Sequence, residues 1–395
     1  LRAPPGASNL AGIQEGDGGM RGFRLLVLCA LLAACDEGVR PQPVTQQPPA
    51  PAAPPPLAAA PPPSAPAAPA TPAAPPPEWV ADARTGCRIY DAFVLGEHRV
   101  TWSGPCVAGR AEGNGVLVAE YVGQGETHTD RHEGGMRAGK RHGRGVTTFE
   151  SASSGTRSEG NWRDGLLHGP VLVTSRAGYR FQGSMAEGRA EGRGSVRYSD
   201  GGSYEGDFLA GQRSGRGVQV WPDGMRCEGS FREDALNGEG SCRFANGNVY
   251  AGGFLAGLQS GRGVETYTNG ARYEGDWREG RRSGRGVMTY ATGGRYEGGW
   301  ENGDKAGDGT ETFPDGGRYI GGYRANQPHG RGTQQWANGN VYDGEWVAGH
   351  AHGQGSNRYF GEWMSGYFEN GCLRQGRISR WVGPQGADGS WCTRN

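Results

Sequence analysis

From Phe181 to Trp346 the large apolar residues of this chain return on a fixed schedule. Gly183, Gly206, Gly229, Gly252, Gly275, Gly298, Gly321 and Gly344 stand 23 residues apart, and the position two places before each is nearly always aromatic. With that position as slot one, the slot holds Phe181, Tyr204, Tyr250, Tyr273, Tyr296, Tyr319 and Tyr342. Slot five holds Phe208, Phe231, Phe254, Trp277, Trp300, Tyr323 and Trp346. Slot eighteen holds Tyr198, Trp221, Phe244, Tyr267, Tyr290, Phe313, Trp336 and Tyr359. Slots one, three and five share one face of a strand, because successive side chains alternate. A fixed period of this length signals a repeat array, in which each unit buries its face only against its neighbours.

Glycine fills slots three, twelve and fourteen, and usually eight and twenty-one. Trp221-Pro222-Asp223-Gly224 and Phe313-Pro314-Asp315-Gly316 read as three-residue hairpin loops, with glycine as the left-handed residue. Such a loop pairs slot eighteen with twenty-two, and slot sixteen with slot one of the next repeat. A four-residue loop over slots seven to ten pairs slot one with slot sixteen inside the repeat. The two registers differ by one period, so rows of side chains run straight across the sheet. The expected fold is all-β: an elongated, single-layer antiparallel sheet of tandem 23-residue β-hairpins, on the order of 100 Å long at about 4.8 Å per strand.

In that register slots three and fourteen form a glycine track, and each slot-five aromatic has glycine on both sides. The rings are expected to lie flat over these glycines, with no covering sheet, and to leave an exposed aromatic face. A glycine costs roughly 0.5–1 kcal/mol of chain entropy. An aromatic burying about 150–250 Å² at about 25 cal/mol per Å² outweighs it. Slots four and thirteen share the opposite face, where Arg216 is expected to meet Asp207, and Arg285 to meet Asp276. The same register places Cys227 opposite Cys242 and predicts a cross-strand disulfide.

Three looser copies precede the regular ones, at Gly104, Gly134 and Gly160, and a fragment, Tyr359-Phe-Gly361-Glu-Trp363-Met-Ser-Gly366, follows them. The pattern Y-x-G-x-W-x-x-G-x-x-x-G-x-G resembles the MORN repeat (membrane occupation and recognition nexus) over residues 102–366, about eleven repeats and a partial one. Departures are local. Cys227 replaces an aromatic, Asp234 and Asn326 replace the loop glycine, and Val171 replaces the last glycine of the third copy. The resemblance implies a row of hairpins in one layer.

Composition changes the picture only at the ends. The 75 Gly and 25 Pro are segregated, with most prolines between Pro41 and Pro77. Residues 36–78 are therefore expected to be a disordered Pro/Ala-rich tether, reaching on the order of 120 Å at about 3.1 Å per residue. Met20-Arg-Gly-Phe-Arg24 and the apolar run Leu25–Ala34 have the order of a signal peptide, and the run is far short of the ~20 residues that span a bilayer. Leu32-Ala33-Ala34-Cys35 resembles the bacterial lipobox, which implies a diacylated Cys35 at the mature N-terminus. Residues 1–19 read as mis-called leader, and 20–35 as the signal peptide. Residues 79–101 and 367–395 are expected to cap the array. The even number of remaining cysteines in an exported chain predicts disulfides, taken as Cys87–Cys106 and Cys372–Cys392 beside Cys227–Cys242.

A net charge of zero argues against a nucleic-acid partner. His142, His168, His329 and His352 all occupy slot eleven and read as loop residues; no metal and no cofactor is expected. No nucleophile elbow, zinc-protease or phosphate-loop motif occurs in its required context. The chain thus reads as a non-enzymatic, lipid-anchored scaffold of the bacterial cell envelope. Its partner would be an envelope protein or a second copy, bound through the slot-one and slot-five rings from Tyr204 and Phe208 to Tyr342 and Trp346. The alternative is direct binding of phospholipid head groups or cell-wall glycan.

Overall fold

The structure, a computed structural model, describes residues 78–91, 98–123, 125–359, 361–375 and 378–381. Cys29, Cys35, the proline tract and Cys392 lie outside the described residues.

One repeat explains the array. In the unit that begins at Tyr273, strand Arg272–Arg278 returns as Arg281–Thr289. Tyr273 lies opposite Met288 and Gly275 opposite Gly286, so slot one faces sixteen and slot three faces fourteen. The chain then turns through a three-residue loop, closed where the Tyr290 N–H donates to the Gly294 carbonyl at 2.8 Å. In the next strand, Arg295–Glu301, Tyr296 pairs with Met288.

The turn inside the repeat is shorter than expected. Arg278 pairs with Arg281, leaving only Glu279 and Gly280, with φ of 49° and 75°. This is the two-residue turn whose twist matches paired strands. The two residues saved reappear in the second strand. The register jumps after Gly275, so that Asp276 faces Ser283, and Gly284 and Arg285 form a bulge. Gly284 has φ of 58°, a left-handed conformation that suits glycine. Trp277 therefore faces Arg282 within the repeat and Gly261 of the preceding one. Each slot-five ring has glycine on one side only, which corrects the expected arrangement.

The bulge also changes the expected charge pairs. The Arg285 main-chain N–H donates to Asp276 Oδ2 at 3.0 Å, and the Arg216 N–H to Asp207 Oδ2 at 3.2 Å. Asp276 and Asp207 thus meet their arginines at the backbone and hold the bulge closed. Hairpins are also stitched at their tips. The N–H groups of Gly257, Gly280 and Gly303 each donate at 2.9–3.0 Å to a carbonyl of the preceding repeat, those of Leu236, Gln259 and Arg282.

The strands follow chain order from His98–Trp102 through Gly113–Gly123 to Ile378–Trp381, each antiparallel to the next. Among the described strands, no ladder joins Ile378–Trp381 back to His98–Trp102, and within the array each strand pairs only with its chain neighbours. The row is therefore open, an elongated sheet of tandem hairpins. Its last unit lies one residue short of the 23-residue period and five residues beyond the expected fragment, in which Gly361 and Trp363 would hold slots three and five. Tyr359 pairs with Glu362, and Gly355 with Gly366. Gly366 and Phe368 thus take slots three and five, while Trp363 is exposed.

The first end is covered. β1 (Glu78–Ala81), β2 (Arg88–Asp91), β4 (Cys106–Val107) and β5 (Arg110–Ala111) form a separate small sheet, while β3 (His98–Trp102) begins the long one. Ile89, Val100, Trp102, Ala111 and Leu117 pack together beneath the Cys87–Cys106 disulfide. Asp82 is fully buried and accepts the Trp102 N–H at 2.8 Å. Hydrogen bonds from Arg84 and from the Trp102 backbone hold its carboxyl well below the usual carboxylate range. An inward carboxylate at the edge of a sheet blocks addition of a further strand.

The first turn residue is an untapped source of stability wherever it is Ala or Glu rather than the Asn of Asn302-Gly303. Ala348 has φ of 47°, where a Cβ costs roughly 1–2 kcal/mol. Ala348→Asn, which gives the favoured Asn-Gly turn, should raise unfolding free energy by about 0.5–1 kcal/mol in denaturant titration.

Candidate functional site

The aromatic face is the natural candidate for function, and it is sealed. Tyr250, Tyr273, Tyr296, Tyr319 and Tyr342 are 0 % exposed, and the slot-five rings Phe208, Phe254, Trp277, Trp300, Tyr323 and Trp346 are buried beside them. The expected exposed face of flat rings is corrected on both counts. From Tyr250 to Phe368 the rings interlock edge to face. Tyr273 meets Trp277 of its own strand and Trp300 of the next repeat, each at 5.2 Å between centroids, with planes 86° and 82° apart. Such pairs contribute about 0.5–1.5 kcal/mol beyond burial. Each tyrosine is wedged between two slot-five rings, so the neighbours cover what a second sheet would otherwise cover.

The slot-one hydroxyl has a defined target. It is the slot-four carbonyl, beside the bulge. Tyr204, Tyr250, Tyr273, Tyr296, Tyr319 and Tyr342 donate to it, at the carbonyls of Asp207, Gly253, Asp276, Gly299, Gly322 and Glu345, over 2.9–3.0 Å. To reach it, the ring crosses the glycine pair of slots three and fourteen. A Cβ on Gly275 would lie 2.5 Å from both Gly286 Cα and Tyr273 Oη. Burial pushes the titration of these hydroxyls well above the ordinary tyrosine range.

Two looser copies use other donors for the same carbonyl. Trp102 Nε1–H donates to the Pro105 carbonyl at 2.8 Å. His132 Nε2 lies 3.3 Å from the Gly135 carbonyl, and its Nδ1 2.9 Å from Thr147 Oγ1. A carbonyl only accepts, so Nε2 carries the proton and Nδ1 accepts from Thr147. Burial, with the positive charge of Arg141 second, lowers the His132 pKa to about 4. Slot one thus accepts any flat ring that carries a donor at its far end, although Phe181 and Cys227 fill it without one, and the Tyr-x-Gly pattern did not reveal this.

A second missed feature lies in slots ten and sixteen, on the same face. Arg213 Nη1 donates to Gln219 Oε1 at 2.7 Å, and Lys305 pairs with Glu311, which also accepts from Tyr323 Oη at 2.9 Å. Lys305 Nζ stands 4.9 Å from the Tyr296 ring centroid, and Arg282 Cζ 4.4 Å from that of Trp300. Burial pushes the Lys305 ammonium below its ordinary value, against the pull of Glu311. The only signal in the sequence is a pair of polar residues six positions apart.

On the opposite face, ion pairs run along strands. Arg226–Glu228, Arg272–Glu274 and Arg295–Glu297 close at 2.6–2.8 Å, and Arg157–Glu159 at 3.1 Å. Exposed pairs of this kind contribute little stability, but they occupy the arginines.

Of the cysteines, Cys227 and Cys242 are bonded and fully buried, in slots one and sixteen. Cys87 and Cys106 are bonded across the first end. Cys372 is disulfide-bonded, while Cys392 lies outside the described residues. Among slot-eleven histidines, His142 stands 3.8 Å from Asp164. No group of His, Cys, Asp or Glu among the described residues could hold a metal ion. No helix of the described chain is long and apolar enough to cross a membrane.

This architecture defines a repeat β-sheet scaffold module. The MORN repeat matches residues 132–153, 159–170, every 23-residue unit from 181–203 to 319–341, and 342–356. These spans make up more than half of the chain, and the chain belongs to the MORN-repeat family. No curated protein matches it. Among solved structures, similarity extends to the SAS-4 TCP domain of Drosophila melanogaster, in complex with a proline-rich motif of Ana2, at 9 % identity and TM-score 0.25 over 44 % of this chain and 88 % of that one. It also extends to a streptogramin B lyase at 11 % identity and TM-score 0.13, over 58 % and 84 %. Overlaps this low carry no argument about fold or function.

Tyr273→Phe removes the hydroxyl that donates to the Asp276 carbonyl and should cost about 0.5–1.5 kcal/mol in denaturant titration, although ring packing is kept. His132 gives a pH signature. Its folded pKa of about 4 lies below the ordinary 6.5, so the unfolded chain binds the extra proton between them. That stability is complete above about pH 6.5 and falls by up to roughly 3 kcal/mol as pH drops toward 4. His132→Tyr should flatten this part of the stability profile measured by thermal unfolding across pH.

Proposed function

We propose that this MORN-repeat chain is a non-enzymatic scaffold of the bacterial cell envelope, held to a membrane by lipid on Cys35 and binding a protein partner or a second copy of itself. The observation that carries the binding reading is a break in the seal of the aromatic face. Along the loop edge of that face, in slot eighteen, Tyr290, Phe313 and Trp336 pack against the core but remain partly exposed. Three successive repeats thus offer apolar surface that the chain does not cover, and exposed apolar patches mark interaction sites. The deeper rings of slots one and five support this row from below.

The opposite face gives no comparable support to a head-group or glycan ligand. Arg226, Arg272 and Arg295 there are engaged by glutamates two residues along, and in slots four and thirteen arginines are interspersed with Asp207, Glu239, Asp276, Asp308 and Glu345, so positive charge is not concentrated. The lipid contact in this reading is the anchor alone. The sequence order of basic start, apolar run and lipobox supports the anchor.

Two measurements test the proposal. Cys35→Ser should move the chain from the membrane pellet to the soluble fraction of bacterial cells. Cross-linking from position 313 in cells, with mass spectrometry of the adducts, should recover protein. Wild-type and Cys35→Ser chains with the same fractionation would remove the anchor, and co-sedimentation with anionic vesicles or peptidoglycan without protein adducts would remove the scaffold reading.

A further inference from the structure

Lys140 and Lys305 are the only lysines of the chain, and Lys305 is the one that is buried. It stands in slot ten of strand Asp304–Thr312, with Glu311 in slot sixteen of the same strand. The two side chains pair and are only 11 % and 13 % exposed. Rings close around them. Lys305 Nζ lies 4.9 Å from the Tyr296 ring centroid, 5.4 Å from that of Tyr290 and 5.5 Å from that of Tyr323. Glu311 lies between Tyr296 and Tyr319 on the neighbouring strands. The root of the lysine is held as well. Its N–H donates to Asn326 Oδ1 at 2.8 Å, and its carbonyl accepts the Asn326 N–H at 3.1 Å.

Elsewhere these slots hold groups that do not condense, such as Arg213 with Gln219 and Gln259 with Glu265. Only the unit that begins at Tyr296 sets a primary amine against a carboxyl. A buried ion pair is costly, because both charges leave water and their attraction repays this only in part. The same atoms have a neutral alternative. A primary amine and a carboxyl lose water to become an amide, and holding the two in contact turns a bimolecular encounter into a step within one molecule. Burial already pushes the Lys305 ammonium toward its neutral, nucleophilic form, against the pull of Glu311 and with the Arg282 charge assisting.

We infer that Lys305 and Glu311 condense in the folded chain to a side-chain amide, a covalent staple across the bulge of this repeat. Lys305 Nζ adds to Glu311 Cδ, the Cδ–Oε2 bond breaks, and Oε2 leaves as water. The ammonium supplies all three protons: two depart with the water and one stays on the amide nitrogen. The step balances with no outside acid, oxidant or cofactor. Tyr323 Oη donates to Oε2, the leaving oxygen, at 2.9 Å. Tyr323 therefore hands its proton to that oxygen as the bond breaks and recovers one from the nitrogen, as a positioned acid. Burial and the Glu311 charge push this hydroxyl far above the ordinary tyrosine range, so it stays protonated until the carboxyl reacts. The reverse step needs water inside a row sealed by rings, so the amide persists. The staple involves no partner and stands apart from the scaffold reading.

Trypsin reads the result directly. The full chain, purified folded, is denatured and digested, and its peptides are weighed. A free Lys305 is cut, giving residues 296–305 and 306–318, whereas the amide blocks the cut and leaves one peptide, 296–318, lighter than its sequence by one water. Fragmentation of that peptide should show no break between 305 and 311, which lie inside the closed ring. Lys305→Arg should restore the cut and the full mass. Tyr323→Phe keeps the ring and should slow appearance of the amide by about a hundredfold in pulse-labelled cells. Two separate peptides at full mass would overturn the inference. So would a water loss confined to 306–318 with Lys305 still cut, the mark of cyclised Asp308-Gly309. An amide that forms equally fast in Tyr323→Phe would overturn the role given to Tyr323.

Discussion

Everything in this sheet depends on what happens to the slot-four carbonyl. A two-residue turn gives the hairpin its twist, but it forces a bulge, and the bulge shifts the register by two residues beside slot four. The slot-one ring reaches the carbonyl there from the far side of the strand, by lying across two glycines and donating its hydroxyl. Each such bond contributes about 0.5–1.5 kcal/mol. The glycines at slots three and fourteen are needed because the ring occupies the space of their side chains. Once the ring stands there, the slot-five ring of the next repeat has an edge to meet. The hydrogen bond, the glycine track and the edge-to-face chain are thus one device.

This device makes the array tolerant in a particular way. Trp102 and His132 satisfy the carbonyl with different donors, so the repeat can change its aromatic without changing its backbone. Cys227 abandons the ring altogether, and a covalent bond to Cys242 takes the place of the lost packing in the same row. The polar residues of slots ten and sixteen extend the logic. Lys305 is buried, yet it meets Glu311 and three rings, so its charge is matched inside the row. Each replacement is made within one repeat or its neighbour. That locality is what lets a row of hairpins stand without a second layer.

The pairing of slot one with sixteen and the loop between eighteen and twenty-two were legible because glycine, proline and asparagine sit where backbone geometry demands them. The inner turn was not. Its first residue is Glu279 in one repeat and Ala348 in another, neither of which announces a left-handed conformation. The bulge was hidden for the same reason, because Gly284 can be read as room for a ring as easily as a positive φ. His132 was not legible as a slot-one residue because the pattern there is Tyr or Phe, whereas another flat ring with a donor reaches the same carbonyl. The final unit was misaligned at Tyr359 because its loop is one residue short, and only pairing shows that Gly366 and Phe368 restore the pattern. A period reports which residues are equivalent, but it does not report which way a ring leans.

The lean of the rings decides where function can reside. Flat rings would have left the whole aromatic face available to any apolar partner. Interlocked rings consume that face, and the surface left over is only the loop edge, where no further hairpin contributes a covering side chain. At that edge the slot-eighteen rings Tyr290, Phe313 and Trp336 pack against the core on one side and remain partly exposed on the other, while Gly294 and Gly317 beside them are buried. The apolar surface open at this edge is thus set by slot eighteen rather than by the interlocked rings that hold the sheet together.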